Sequence, residues 1–161
     1  MICVFPLPVK PAFVSPTLPF RPRMVYKGGM NEFNDDQNCF VCGRGNQAGL
    51  RLEFREEPVS AGVQAEVVFP ARFQGWQDTV HGGLLATVLD EAMIKAAAAA
   101  GHKCVSAEIT VKYKEPARTG ARYRAEGRVA QARGRLVLAE SRICDAAGRV
   151  YAQATGKFFK V

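Results

Sequence analysis

Hydrophobic and polar residues alternate in short runs along most of the chain, and one longer stretch breaks that rhythm. Within Ala48–Arg55, Leu50, Leu52 and Phe54 take turns with Arg51, Glu53 and Arg55, the period-two pattern of a half-buried strand. Gly62–Pro70 alternates less cleanly but ends in Val67-Val68-Phe69, so a second strand is expected, with Glu57, Pro58 and Ser60 forming the turn between the two. Ala71–His81 contains Gly75 and has no sustained period, and reads as a loop. From Gly83 to Ala100 the period changes: Leu84, Leu85, Val88, Leu89, Ala92, Met93 and Ala96 recur at three- and four-residue steps, which predicts a helix that Gly101 stops. Its apolar stripe centres near Leu85, Leu89, Ala92 and Ala96. Glu91 and Lys95, spaced i,i+4, are expected to pair on the solvent side, and Asp90 falls on a flank with Ala86, Ile94 and Ala97. Four strand-like runs follow, Cys104–Lys114, Ala121–Ala132, Arg135–Asp145 and Val150–Lys160, and the short turns between them predict an antiparallel meander. Two strands, one long helix and four strands make an α+β fold with the helix packed centrally against an antiparallel sheet.

The first 22 residues do not fit that scheme. Six prolines there (Pro6, Pro8, Pro11, Pro16, Pro19, Pro22) remove backbone donors and forbid helix or central strand, and they interrupt any run that could serve as a signal peptide. Residues 1–29 therefore read as a disordered arm, 30–161 as one domain, and Met30 as the expected natural start. No uninterrupted apolar run reaches 18 residues, so no membrane-spanning helix is expected. Five cysteines at irregular spacing (Cys3, Cys39, Cys42, Cys104, Cys144) point to a reducing, cytoplasmic setting rather than a disulfide framework.

Charge separates function classes. The formal net charge of +7 is uneven: +4 on residues 1–29, −5 on residues 30–102 and +8 on residues 103–161. A basic second half suits either nucleic acid or a small anion. Nucleic acid favours basic residues interleaved with aromatics, whereas only Tyr123 lies among Arg118, Arg122, Arg124, Arg128, Arg133 and Arg135. The small anion is preferred, and nucleic acid is not expected as a partner.

Candidate chemistry gathers where loop meets helix. In Val80-His81-Gly82-Gly83, paired glycines allow close backbone approach and present N–H groups at the positive end of the helix dipole, a place suited to a polarised carbonyl oxygen. Asp90, a carboxylate among small apolar side chains, is a candidate general base. His81 reads equally as a brace for the loop or as a direct participant. The Cys39-Phe40-Val41-Cys42-Gly43 run reads as a packed, reduced pair: structural zinc takes four ligands and no second close Cys/His pair is present, although Cys104, Cys144 or a second protomer could complete a set on folding.

His81-Gly82-Gly83, six intervening residues and Asp90 resemble the signature of hotdog-fold acyl-CoA thioesterases of the phenylacetate-pathway type, over roughly residues 38–161. The resemblance implies a hotdog domain, one long central helix wrapped by a five- or six-stranded antiparallel sheet. It implies hydrolysis of an acyl- or aroyl-CoA thioester, without metal or organic cofactor. The N–H of Gly82 or Gly83 would polarise the carbonyl, Asp90 would act as general base or nucleophile, and Ser106, on the strand after the helix, would assist. Arg118, Arg133 and Arg135 would meet the phosphates of CoA. Homodimers, with sites between protomers and pairing further into tetramers, are part of the same implication. Many relatives carry Asn or Gln six residues before the His; here Gly75 stands there with Gln74 adjacent, so either Gln74 takes that role on a shifted loop or activity is weakened. The rival readings are a non-catalytic acyl-CoA-binding or sensing module, for which the Gly75 departure speaks, and a hotdog dehydratase or hydratase, whose spacing of His and carboxylate is lacking.

Overall fold

The computed structural model describes residues 35–57 and 62–161; the proline-rich arm, Met30, and the turn residues Pro58 and Ser60 lie outside them. The elements in chain order are β1 (Arg55–Glu57), β2 (Gly62–Val68), a 3-10 turn (Ala71–Phe73), β3 (Gln74–Trp76), β4 (Thr79–Val80), α1 (Gly82–Ala99), β5 (Cys104–Tyr113), β6 (Arg122–Arg133), β7 (Leu136–Cys144) and β8 (Val150–Lys160). Six strands form one antiparallel sheet in the order β1-β2-β6-β7-β8-β5, and α1 packs across it, chiefly against β6 and β7. This is the hotdog arrangement that the resemblance implies, with six strands of the expected five or six.

The helix stripe is where the periodicity puts it. Leu85, Val88, Leu89, Ala92, Met93, Ala96 and Ala97 are buried, in one core with Phe69 just after β2 and with Val137, Ile143 and Phe158 from the sheet. Burial of each large side chain stabilises the fold by about 2 kcal/mol. The approach is close because β6 carries Gly127 under the helix: a Cβ there would lie 2.1 Å from the Ala92 carbonyl oxygen.

Three expectations need correction. Ala48–Arg55 is not a strand; only Arg55 belongs to β1. Its alternation does bury Leu52 and half-bury Leu50 and Phe54, but Arg51 has φ +52°. The backbone pairs locally, with the N–H of Leu50 and of Leu52 donating to the carbonyls of Phe40 and Val41 at 2.8 Å. The stretch Ala71–His81 is not plain loop, because β3 and β4 pair as a small hairpin. Finally, only β6, β7 and β8 form a meander. β5 pairs with β8 at the sheet edge, so the segment after Tyr113 crosses to the far side of β7 and β8 before β6 begins. Tyr123 pins that crossover: its hydroxyl accepts from the Arg118 N–H at 2.7 Å and donates to the Arg118 carbonyl at 3.1 Å.

Candidate active site

The helix start is built by β3 and β4. The His81 N–H donates to the Phe73 carbonyl at 2.9 Å, and the Val80 N–H to the Ala117 carbonyl at 2.8 Å, so hairpin and crossover together fix where α1 begins. His81 is the N-cap, and its Nδ1 accepts the Gly83 N–H at 3.0 Å. Gly83 is thereby removed as a donor to a ligand. The Gly82 N–H has no partner among the described residues and stands at the positive end of α1. Tyr113, at the far end of β5, closes over this turn and donates its hydroxyl to the Gly82 carbonyl at 3.0 Å. Nothing in the sequence marks Tyr113, since the contact joins residues 31 apart.

Asp90 and Ser106 meet. The Ser106 hydroxyl lies 2.9 Å from Asp90 Oδ1 and 3.1 Å from Oδ2. The β5–β8 register shifts between Ser106 and Glu108, a bulge of the kind that re-aims a side chain. Burial raises the Asp90 pKa above the ordinary carboxylate value; the Ser106 hydrogen bond pulls it down, and the neighbouring Glu91 charge pushes it up.

Other candidates lie apart. Gln74 is exposed and its Oε1 accepts the Asp78 N–H at 3.2 Å, which ties it to its own hairpin; no hydrogen bond joins it to Asp90 or Ser106. The glycine beside it has a packing reason, because a Cβ on Gly75 would sit 3.2 Å from His81 Cα and Cδ2. Arg118, Arg133 and Arg135 are all exposed, but one chain does not gather them. Arg118 sits by the helix start, while Arg133 and Arg135 flank the β6–β7 turn at the other end of β6, about 35 Å away at the rise of an extended strand. The remaining arginines of the basic half are engaged with acids: Arg122 with Glu66, Arg124 and Arg142 with Glu126, Arg128 with Glu140, Arg149 with Glu115.

A further correction concerns Glu91, expected on the solvent side. It pairs with Lys95 at 3.6 Å, yet its side chain is only 13% exposed, because the Cys39–Gly43 loop covers it. Cys39 Sγ lies 3.9 Å from Glu91 Oε2, and Cys39, Cys42 and Glu91 hold their donor atoms within 4.8 Å of one another. Burial, with Glu91 close by, pushes the Cys42 thiol up to about 12. Cys104 and Cys144 do not join this group. Cys144 lies beside Glu126, and Cys104 opposite Lys160. A cavity of about 350 Å³ opens next to Cys42 and Lys95, and neither Asp90 nor Ser106 lines it.

The model of the thioesterase superfamily matches residues 77–152, from the β3–β4 turn to β8. Among solved structures, a thioesterase superfamily protein is similar at a TM-score of 0.73 and 23% identity, covering 77% of this chain; the chain spans 61% of that protein's length. The E. coli PaaI protein from the phenylacetic acid degradation operon gives 0.62 at 18% identity, over 70% of this chain and 80% of its own. A Streptococcus mutans protein bound to acetyl CoA gives 0.60 at 16% identity, over 68% of this chain and 88% of its own. Among curated proteins, none matches. Among the described residues, no helix is long and apolar enough to cross a membrane.

Proposed function

We propose that the chain, whose residues 77–152 match the thioesterase superfamily model, is a hotdog-fold member of that superfamily and hydrolyses an acyl- or aroyl-CoA thioester to the free acid and CoA. The observation that carries the reading is the Ser106–Asp90 pair on the helix flank, a carboxylate held in place by a hydroxyl. Asp90 takes a proton from water as the water oxygen bonds to the thioester carbon. The Gly82 N–H stabilises the oxyanion, the carbon–sulfur bond breaks, and the sulfur of CoA leaves with the proton. His81 positions the turn by binding the Gly83 N–H.

One chain does not complete this site. Gly82 and Asp90 are eight residues apart on one helix, about 12 Å along its axis, whereas the amide that holds the carbonyl oxygen and the base that holds the attacking water must both stand beside one thioester group. The site is therefore read as shared between two copies, the Gly82 amide of one facing Asp90 of the other. The ten-residue β5, at the sheet edge with Ile109 and Tyr113 exposed, supports such pairing. The same pairing is what would let arginines from opposite ends of β6 serve one phosphate-bearing ligand. CoA as the leaving group is further supported by the acetyl-CoA-bound structural neighbour.

The test is release of free CoA thiol from a panel of aliphatic and aromatic CoA thioesters, with Asp90→Asn beside the wild-type protein. Hydrolysis lost in the variant supports the reading. Binding of a thioester with no hydrolysis by the wild type would replace it with the non-catalytic module, for which the tie of Gln74 to Asp78 of its own hairpin speaks.

A further inference from the structure

The Cys39–Gly43 loop is wound more tightly than a linker needs to be. A Cβ on Gly43 would lie 2.4 Å from the Cys39 nitrogen and 2.5 Å from the Gln37 carbonyl oxygen, so only glycine permits the turn. The Gly43 N–H closes it on the Cys39 carbonyl at 2.9 Å, and the Val41 N–H points at Cys39 Sγ at 3.4 Å, a donor aimed at sulfur. This loop sets both sulfurs over α1, against Glu91.

We propose that Cys39, Cys42 and Glu91 form a binding site for one zinc ion, with a fourth position open to water from the neighbouring cavity. Two soft thiolates and one carboxylate on a rigid frame are a donor set that zinc accepts. The spacing fits. Ligands at about 2.3 Å in a tetrahedron stand roughly 3.8 Å apart, and Cys39 Sγ and Glu91 Oε2 are 3.9 Å apart with all three donors within 4.8 Å. Charge fits as well: a dication on two thiolates and a carboxylate leaves one negative charge, and Lys95 stands 3.6 Å from Glu91 to balance it. The cavity lined by Cys42 and Lys95 supplies the route in. The third ligand comes from a helix 52 residues along the chain, which is why the Cys pair alone looks incomplete in sequence. The site is separate from the one assigned above: neither Asp90 nor Ser106 lines the cavity beside it, and no catalytic step uses its ligands. Its effect would be to clamp the loop before β1 onto α1.

The full chain, reduced and freed of metal with a chelator, is titrated with zinc alone and with cobalt(II) alone. One equivalent per chain is expected. The cobalt form should show thiolate-to-metal charge transfer and the visible bands of a tetrahedral ion. Zinc should shield Cys39 and Cys42, but not Cys104, from alkylation mapped by mass spectrometry. Cys42→Ser should abolish the charge-transfer band or reduce it to that of one thiolate. Glu91→Gln should keep the band and weaken zinc binding by at least about tenfold. No stoichiometric uptake by the wild type, or equal alkylation of all three cysteines with zinc present, would overturn the site, whether or not the variants fold. Unchanged affinity in folded Glu91→Gln would overturn the three-donor assignment.

Discussion

Ser106 Oγ lies within hydrogen-bonding distance of both carboxylate oxygens of Asp90, at 2.9 and 3.1 Å, and so couples the start of β5 to the middle of α1. If Asp90 is the base, Asp90→Asn should lower turnover by about 10²- to 10⁴-fold while leaving the helical and sheet content of the circular dichroism spectrum unchanged. Ser106→Ala, which removes a positioning hydroxyl and keeps the base, should lose less. Steady-state hydrolysis of the best thioester from the panel checks both, and equal losses for the two variants would point to a structural role for the pair.

The separation of Gly82 from Asp90 along one helix leads to a complementation experiment. His81 already holds φ −61° and ψ 129°, a conformation that tolerates a following proline, and Gly82 is the first helical residue, where proline fits. Gly82→Pro therefore removes the N–H with little strain. Neither Gly82→Pro nor Asp90→Asn homodimers should hydrolyse thioester well. Mixed dimers should recover activity, because one of their two sites then has both groups intact. No recovery in verified mixed dimers would place the whole site within one chain.

Much of the fold is legible in the sequence because it follows from local periodicity. The 3.6-residue recurrence of Leu85, Val88, Leu89, Ala92 and Met93 fixes α1, and only its ends differ, by one residue each. What periodicity cannot carry is which strand pairs with which. β5 ends in turn-forming residues just as β6 and β7 do, yet it pairs with β8, since the crossover is held by Tyr123 and by the hydrogen bond from Val80 to Ala117. The site divides the same way. The His81-Gly82-Gly83 turn and Asp90 stand in one continuous segment and can be read directly. The covering of Glu91 by the Cys39 loop, the Tyr113 contact with Gly82 and the scattering of Arg118, Arg133 and Arg135 depend on tertiary packing, which leaves no mark at fixed spacing.

Asp145 gives a pH-dependent prediction. It closes the β7–β8 turn, accepting the N–H groups of Ala147 at 2.9 Å and Arg149 at 3.0 Å on one oxygen and the Tyr151 hydroxyl at 3.2 Å on the other. Burial opposes its ionisation, but the Arg149 N–H, the Tyr151 hydroxyl and the Ala147 N–H outweigh burial and hold its pKa below the ordinary carboxylate value. A carboxyl that is more acidic folded than unfolded contributes stability above its unfolded pKa, and that contribution disappears as pH falls through the folded value. Asp145→Asn should therefore melt below the wild type at pH 7. The gap should close on acidification below the ordinary carboxylate range. A gap that stays constant with pH would mean the charge is irrelevant to the turn.

The buried pair of Glu126 and Arg142 yields the largest expected stability effect. Their side chains are 8% and 9% exposed, joined at 2.8 Å on adjacent strands, with Arg124 adding a second contact to Glu126 at 2.7 Å. Glu126→Ala deprives a buried guanidinium of its carboxylate, a change that costs about 3–5 kcal/mol in comparable sites. A domain of this size loses 2–4 °C of Tm per kcal/mol, so a fall of roughly 10 °C is expected. Replacing both partners by apolar residues of similar volume, as in Glu126→Met with Arg142→Leu, removes the buried guanidinium together with its carboxylate, and only the more exposed Arg124 loses a contact. The double variant should then melt above Glu126→Ala, and thermal unfolding of the single and double variants separates the worth of the pair from the penalty of breaking it. A double variant that melts below the single one would show that Arg142 is held mainly by contacts other than Glu126.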